Sequence, residues 1–355
     1  MTSNDHGDAL AQQVAAAADS GTPLRIRGQG SKDFLGRTPS GDVLDLSAHS
    51  GIINYEPTEL VLTARAGTPL SELEAALSGS GQMMPFEPPH FGDASTIGGT
   101  IAAGLSGPRR PWAGSARDLI LGVRLINGQG ENMRFGGEVI KNVAGYDVSR
   151  LATGSYGTLG VILDISMKVL PLPEAEVSLR LDHGETEGFN AVEQAFRAGV
   201  PVSGAAHDGK QLRVRLSGTK LAVDAGIKHL GGEQDDDPAT FWHALRDHRL
   251  PVFTDDGPAL WRLSLPPMAD IPDLPGQRLA DWGGQQHWLR TDASPEHVFS
   301  EAARLGGHAT CFHGGDRDGD VFHPLSPGLR RLHERVKTAF DPKGILNPGR
   351  LYAGI

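Results

Sequence analysis

The stretch VIKNVAGYDVSRLATGSYGTLGVILDISMKVLPLP, residues 139–173, joins a glycine-rich loop to a long apolar strand. Three glycines stand at residues 154, 157 and 160, and the pattern of residues 159–173 predicts one strand closed by two prolines. Proline has no N–H to donate to a β-ladder, so Pro171 and Pro173 end the strand. The stretch therefore predicts a domain boundary at this proline pair.

A second glycine-rich segment lies upstream, in RGQGSK at residues 27–32, directly after the strand predicted at 24–27. A strand that leads into alternating glycines exposes successive backbone N–H groups, and no Cβ blocks the approach of an anion. The segment matches neither a G-x-G-x-x-G fingerprint nor a Walker loop. Taken by itself, it is explained better as a tight turn between strands.

A third segment, STIGGTIAAGLSGPRRP at residues 95–111, is also rich in glycine, and we predict a turn here. Thr96, Gly98 and Gly99 would approach another part of the same anionic ligand. Alternatively, Gly98, Gly99 and Gly104 let a helix pack closely on a sheet. Two such loops, each after a strand pattern, favour an extended dinucleotide over a single phosphate.

Composition restricts the class of protein further. The net charge of −10 argues against a nucleic-acid binder, because neutralising phosphates needs a basic surface. The single cysteine, Cys311, excludes an internal disulfide and an iron–sulfur cluster held by this chain alone. The sequence has no basic and apolar leader and no apolar run of about 20 residues. It therefore predicts a cytoplasmic protein that becomes peripheral to a membrane only through a partner.

Four motifs in this order resemble the flavoproteins of the vanillyl-alcohol oxidase/p-cresol methylhydroxylase (PCMH) type. They are RGQGS at 27–31, TIGG at 96–99, KNVAGYDV at 141–148 and GSYGTLGV at 154–161. The branch that oxidises 2-hydroxy acids is matched best, and within it the chain is most similar to the FAD-binding subunits of glycolate oxidases. Further similar segments, such as 104–112, 282–289 and 339–352, extend this resemblance over nearly the whole chain.

The resemblance implies an α+β fold in three parts. A two-subdomain PCMH-type FAD-binding domain covers residues 1–173, and a smaller α+β (ferredoxin-like) cap covers residues 174–338. A C-terminal segment, residues 339–355, returns to the flavin. The cap is shorter than the substrate caps of the catalytic relatives.

The resemblance also implies the residues that bind FAD. These are Arg27, Gly28, Gln29, Gly30, Ser31, Lys32, Thr96, Ile97, Gly98, Gly99, Ala103, Ser106, Gly107, Gly157, Thr158, Gly160, Val161, Ile162 and Asn347. In relatives with a covalent flavin, a histidine stands at the position of Ser31 or a cysteine elsewhere in the FAD domain, so non-covalent FAD is implied here. Gln29 replaces the usual glycine, which requires either a negative φ or a strained loop.

The implied function is that of the FAD-binding subunit of a glycolate oxidase complex. Glycolate, a small 2-hydroxy acid, is oxidised to glyoxylate by hydride transfer to the flavin, and the electrons pass to an iron–sulfur subunit. In the alternative, the chain is a non-catalytic electron-transfer or scaffolding subunit beside a larger catalytic flavoprotein subunit. A flavin-free interaction protein is a third hypothesis, which the complete set of glycine loops disfavours.

No motif marks a catalytic base, so the catalytic residues stay unassigned. His313 and His323, in HGGDRDGDVFHP, loosely resemble the metal-binding motif of catalytic relatives, but the spacing differs and a turn without metal is predicted. Arg109 and Arg110 are candidates for holding a substrate carboxylate or the acidic surface of a partner. A solvated basic loop explains these two arginines about as well.

Overall fold

The computed structural model describes residues 4–137 and 147–355. Most of the KNVAGYDV motif, residues 141–146, lies outside the described residues. No described helix is long and apolar enough to cross a membrane.

Helices and strands of the described chain are numbered here in chain order. The helices are α1 Gly7–Ser20, α2 Leu70–Ser78, α3 Ile97–Ala103, α4 Arg110–Ala113, α5 Ala116–Leu119, α6 Val148–Ala152, α7 Glu185–Arg197, α8 Lys220–Leu230, α9 Pro238–Arg246, α10 Pro251–Thr254, α11 Pro295–Arg304 and α12 Pro327–Phe340. The strands are β1 Leu24–Arg27, β2 Asp42–Asp45, β3 Ile52–Glu56, β4 Val61–Arg65, β5 Gln82–Met83, β6 Ile120–Ile126, β7 Asn132–Gly136, β8 Val161–Lys168, β9 Leu170–Pro171, β10 Ala175–Leu181, β11 Val202–His207, β12 Leu212–Gly218, β13 Glu233–Gln234, β14 Leu260–Ser264, β15 Gln277–Asp281, β16 Gln286–Arg290 and β17 His308–His313.

The N-terminal part of the chain is built on a five-stranded antiparallel sheet in the order β3-β4-β8-β6-β7. Its central strand is β8, in which every residue from Val161 to Met167 is buried. The helix α2 buries Leu70, Leu73 and Leu77 in the same core. A second, smaller sheet pairs β1 with β2 in parallel, which directs the chain after β1 towards the site described below.

The chain enters a second sheet shortly after the proline pair. Pro171 in β9 still pairs with Gln82 of the N-terminal part, whereas β10 already belongs to the other sheet. The chain returns to the N-terminal part after α12. There Leu346 forms a parallel bridge with Leu24 of β1 and is buried in the same core as α2. The division into residues 1–173, 174–338 and 339–355 stays a prediction.

The second sheet has eight antiparallel strands, and its topology repeats. The order β13-β10-β12-β11 comes from the connection β10-α7-β11-β12-α8-β13, which is a ferredoxin-like βαββαβ unit. The strands β17-β14-β16-β15 repeat that order, but residues 265–276 replace the first crossover helix. The two units join where His207 of β11 pairs with Ala280 of β15. The α+β class and the ferredoxin-like cap are confirmed, and the cap contains this unit twice.

Candidate cofactor site

The loop after β1 forms the first wall of the candidate site. A Cβ on Gly28 would lie 2.9 Å from Oγ1 of Thr96. Gly30 has φ +79°, and a Cβ there would lie 2.2 Å from the guanidinium of Arg27. Both positions therefore need glycine. Gln29 is not among the residues with positive φ, so its replacement of glycine causes no backbone strain.

The second wall is a helix, where the sequence predicted a turn. Thr96 caps α3 by accepting a hydrogen bond from the N–H of Gly99 at 3.3 Å. A Cβ on Gly98 would lie 2.5 Å from Cβ of Ala66 and 2.8 Å from its carbonyl oxygen, so Gly98 lets the helix pack directly on the chain after β4. Gly99 has no such neighbour and faces the cavity. Packing and the cap outweigh the low helix propensity of two adjacent glycines.

The third wall consists of residues 156–162, and Asn347 ties it to the first wall. Oδ1 of Asn347 accepts the N–H of Ile26 at 2.8 Å, and its Nδ2 donates to the carbonyl of Tyr156 at 2.6 Å. Gly157 has φ +72°, and a Cβ there would lie 2.8 Å from Nδ2 of Asn347. The returning C-terminal segment therefore joins β1 to the GSYGTLGV loop.

One cavity lies between these three walls. Most of the predicted FAD-binding residues line it, namely Arg27, Gly28, Gln29, Gly30, Ser31, Lys32, Thr96, Gly98, Gly99, Ala103, Gly157, Gly160, Ile162 and Asn347. The lining also includes residues outside that set: Ile26, Asp33, Leu35, Leu46, Ala66, Ala102, Tyr156 and Arg350. Among the described residues, the lining contains neither histidine nor cysteine.

Five of the predicted residues do not reach this cavity, for reasons that the structure makes plain. Ile97 and Val161 point into the hydrophobic core. Thr158 is buried and donates to the carbonyl of Ser155 at 2.7 Å. Oγ of Ser106 accepts the N–H of Ala116 at 3.0 Å, and the carbonyl of Gly107 accepts the indole N–H of Trp282 at 3.0 Å.

Lys32 is a positive charge in this cavity that has no carboxylate partner among the residues that the structure describes. Its Nζ lies 3.2 Å from Oγ of Ser95 and 3.4 Å from Oγ of Ser31. Burial lowers the pKa of Lys32 to about 8. The nearby Asp33 is paired instead with Arg25 at 2.5 Å and Arg27 at 3.0 Å. A desolvated ammonium beside glycine backbone is suited to an anionic group such as a phosphate.

Arg350, which sequence reasoning missed, lines the cavity and supports the first wall. It donates to the carbonyls of Arg37 at 2.6 Å, Asp33 at 3.0 Å and Lys32 at 3.4 Å. Burial lowers the pKa of Arg350 to about 10. By engaging these carbonyl oxygens, Arg350 fixes the backbone of the loop. The only sequence signal is its place in the closing NPGRL segment.

Arg109 is not available to a ligand, because its donors are used within the protein. Nε lies 3.0 Å from Oε1 of Glu87, and the guanidinium also contacts Glu176 and Ser217. Burial opposes the charge, but the two glutamates raise the pKa of Arg109. Arg215 joins the same network at 2.8 Å from Oε2 of Glu87. The network connects α4 and its preceding loop to β10 and β12.

Arg110 and the two candidate histidines, His313 and His323, do not line the FAD cavity. The guanidinium of Arg110 stacks on Trp282, 4.4 Å from the ring centre. His313 packs against Phe34 at 5.5 Å, whereas His323 contacts Phe299 at 5.4 Å and accepts the N–H of Ala309 at 3.4 Å. Within the described residues, no group of three or more His, Cys, Asp or Glu side chains is placed to hold a metal ion.

Comparisons with known proteins give a consistent result. The family described as FAD binding domain matches residues 5–136, and the family described as FAD linked oxidases, C-terminal domain, matches residues 279–351. The chain is 50% identical over 349 residues to the glycolate oxidase subunit GlcE of Escherichia coli (strain K12), with 98% of each chain covered. It is 30% identical over 417 residues to the glycolate oxidase subunit GlcD of Bacillus subtilis (strain 168), with 98% of this chain and 87% of that one covered.

The fold is also that of a solved enzyme. An alkyldihydroxyacetonephosphate synthase structure matches with a TM-score of 0.66 and covers 98% of this chain and 75% of its own. Its sequence identity is 16%, so the likeness concerns the fold alone.

Proposed function

Because the chain belongs to the FAD-linked oxidases, the family of the glycolate oxidase subunits GlcE and GlcD, we propose that it is the FAD-binding subunit of a glycolate oxidase complex. The observation that carries this proposal is the convergence of three glycine-dependent walls around Lys32, which no described carboxylate pairs. The cofactor is FAD, and we place it in that cavity.

The residues of the cavity fit the parts of FAD. Gly28, Gly30 and Lys32 supply bare backbone and a positive charge for the pyrophosphate. Gly157 and Asn347 line the same cavity, where the groups that follow the pyrophosphate would lie. The binding is proposed to be non-covalent, because the described lining residues include no histidine or cysteine to which a flavin would be attached.

When bound, FAD would supply the hydride acceptor for C2 of the 2-hydroxy acid, and the hydroxyl proton would pass to a base. The chain's own residues position the cofactor, since the N-terminal part and the returning C-terminal segment supply the described lining of the cavity. A single cysteine cannot hold an iron–sulfur cluster. We therefore propose an iron–sulfur subunit as the electron acceptor, next to a second, catalytic flavoprotein subunit.

One observation favours a second candidate function, that of a non-catalytic electron-transfer or scaffolding subunit. Histidine is the usual base for a hydroxyl proton, and none of the described residues that line the FAD cavity is a histidine. In this alternative the partner flavoprotein oxidises glycolate.

The experiment that tests the proposal uses the purified chain with and without its partner subunits. We expect a flavin absorbance band near about 450 nm that survives gentle purification and is released on denaturation. Glycolate added to the chain alone should bleach this band. Bleaching only in the presence of the partners would favour the non-catalytic alternative, and absence of the band would contradict the FAD proposal.

The charge of Lys32 makes a separate prediction about pH. An anionic ligand favours the protonated lysine, so affinity should fall as pH rises through the lowered pKa of about 8. We expect flavin-depleted protein to bind FAD about tenfold more weakly at pH 9 than at pH 7, the effect of losing one charged hydrogen bond. Isothermal titration with FAD measures this. In Lys32→Gln, affinity at pH 7 should be reduced and its pH dependence lost; an unchanged pH profile would contradict the assignment.

A further inference from the structure

A second cavity lies between α3, α4 and the cap. It is lined by groups that include Gly104 at the end of α3, Arg110 at the start of α4, and Arg262 in the middle of β14. Trp282 and His308, the first residue of β17, also contribute. The N-terminal part and the cap each supply one guanidinium to this space.

Arg110 and Arg262 are half-buried, and neither forms an ion pair with a carboxylate of the described residues. Nε of Arg262 is buried and has no hydrogen-bond partner in the part of the chain that the structure describes. Burial lowers the pKa of Arg262, and among the described residues only the Tyr156 hydroxyl acts in the opposite direction. Burial also lowers the pKa of Arg110, and the charge of Arg262 lowers it further, whereas Asp118 partly offsets this. The cavity therefore holds two like charges with little compensation.

This arrangement is unfavourable by itself and becomes favourable when an anion enters. Two charges of the same sign repel each other more strongly when they are withdrawn from water. A guanidinium presents its N–H donors in a planar fork that matches a carboxylate. The guanidinium of Arg110 lies over the ring of Trp282, 4.4 Å from its centre, and this contact restricts where its donors can lie.

The second cavity adjoins the FAD cavity. Gly104 lines the second cavity, and the residue before it, Ala103, lines the first. Tyr156 also belongs to the lining of the FAD cavity, and its hydroxyl interacts electrostatically with Arg262. A small ligand held by the two arginines would consequently lie next to the bound cofactor.

We propose that Arg110 and Arg262 bind the carboxylate of a small 2-hydroxy acid. This inference rests on the proposed function and adds the residues that recognise the substrate. His308 stands in the lining of the same cavity. When its imidazole is neutral, His308 is able to accept a hydrogen bond from the ligand hydroxyl.

The test measures binding of oxalate, a two-carbon carboxylate that cannot lose a hydride, to the purified full-length flavoprotein by isothermal titration. Arg110→Gln and Arg262→Gln should each weaken oxalate binding by about tenfold or more, the usual effect of losing a charged hydrogen bond. Arg262→Lys, which keeps the charge but loses the fork, should lie between wild type and Arg262→Gln. Arg331→Gln, which removes an exposed arginine of α12, is the matched control and should bind as wild type does.

Flavin absorbance is recorded for every variant, which separates this inference from the proposed function. Loss of oxalate affinity with flavin retained supports the carboxylate site. Unchanged oxalate affinity in both glutamine variants, or no oxalate binding by wild type, overturns it. A wild-type chain that lacks flavin but binds oxalate through the two arginines would contradict the FAD proposal and still support the anion site.

Discussion

Replacing Arg109 with alanine is expected to lower the free energy of unfolding by about 3–5 kcal/mol, the usual cost of removing one partner from a buried ion pair. Glu87 and Glu176 would lose a counterion that now lies between them. Both carboxylates are held ionised against burial, with the pKa of each lowered by Arg215 and Arg109. Urea denaturation of the purified protein measures the change.

A matched control is available on α7. Arg197 forms an exposed pair with Glu193 at 2.8 Å, and Arg197→Ala should cost less than about 0.5 kcal/mol. Since Glu87 belongs to the N-terminal part and Glu176 to the cap, the Arg109 variant should also make the cap more accessible to protease. A stability loss no larger than that of the Arg197 variant would show that the network contributes little.

The second large effect is expected at Gly157, where alanine should reduce FAD affinity at least tenfold. The residue has φ +72°, and its new Cβ would lie 2.8 Å from Nδ2 of Asn347. Asn347 would have to move, and its hydrogen bonds to Ile26 and Tyr156 hold two walls of the cavity together. A loss of about 1.4 kcal/mol in binding corresponds to this factor. The flavin that remains bound after gel filtration, read from its absorbance, measures it.

Gly209 is the control for this substitution, because it shares the backbone conformation without the close neighbour. Its φ is +89°, and a Cβ there would meet nothing within 4 Å. Gly209→Ala should therefore show the strain of about 1–2 kcal/mol that a left-handed alanine carries, with flavin content unchanged. Equal flavin contents in the two variants would mean that Asn347 does not shape the cavity.

The cavity walls were predictable where one local segment supplies both the glycine and the reason for it. A strand pattern directly precedes Gly28 and Gly30 in the sequence. Another strand pattern directly follows Gly157. The motifs did not distinguish the faces of an element, however. Ile162 and Val161 are neighbours in β8 and both belong to the core, but only Ile162 also lines the cavity, because successive side chains of a strand alternate.

Other features depend on contacts between distant segments, which no local pattern contains. The helix α3 contains Gly98 because the chain at Ala66 leaves no space for a larger residue. The packing of α3 on this distant segment stabilises the helix despite its two glycines. Arg350 acts on carbonyls more than 300 positions earlier in the chain. Arg262 is a single charged residue in an apolar strand, and its role depends on Arg110 from the other half of the molecule. The repeated strand order of the cap also depends on which distant strands pair, so the sequence did not predict it.

The return of the chain to β1 has a consequence for how the protein is made. Asn347 and Arg350 follow the whole cap in the sequence, yet they complete the walls formed by residues 27–33 and 156–162. When the ribosome has synthesised only the N-terminal part, the cavity walls still lack the hydrogen bonds of Asn347 and Arg350. Cofactor loading must wait until the cap has emerged, so a chain interrupted anywhere in the cap is released without a complete FAD site.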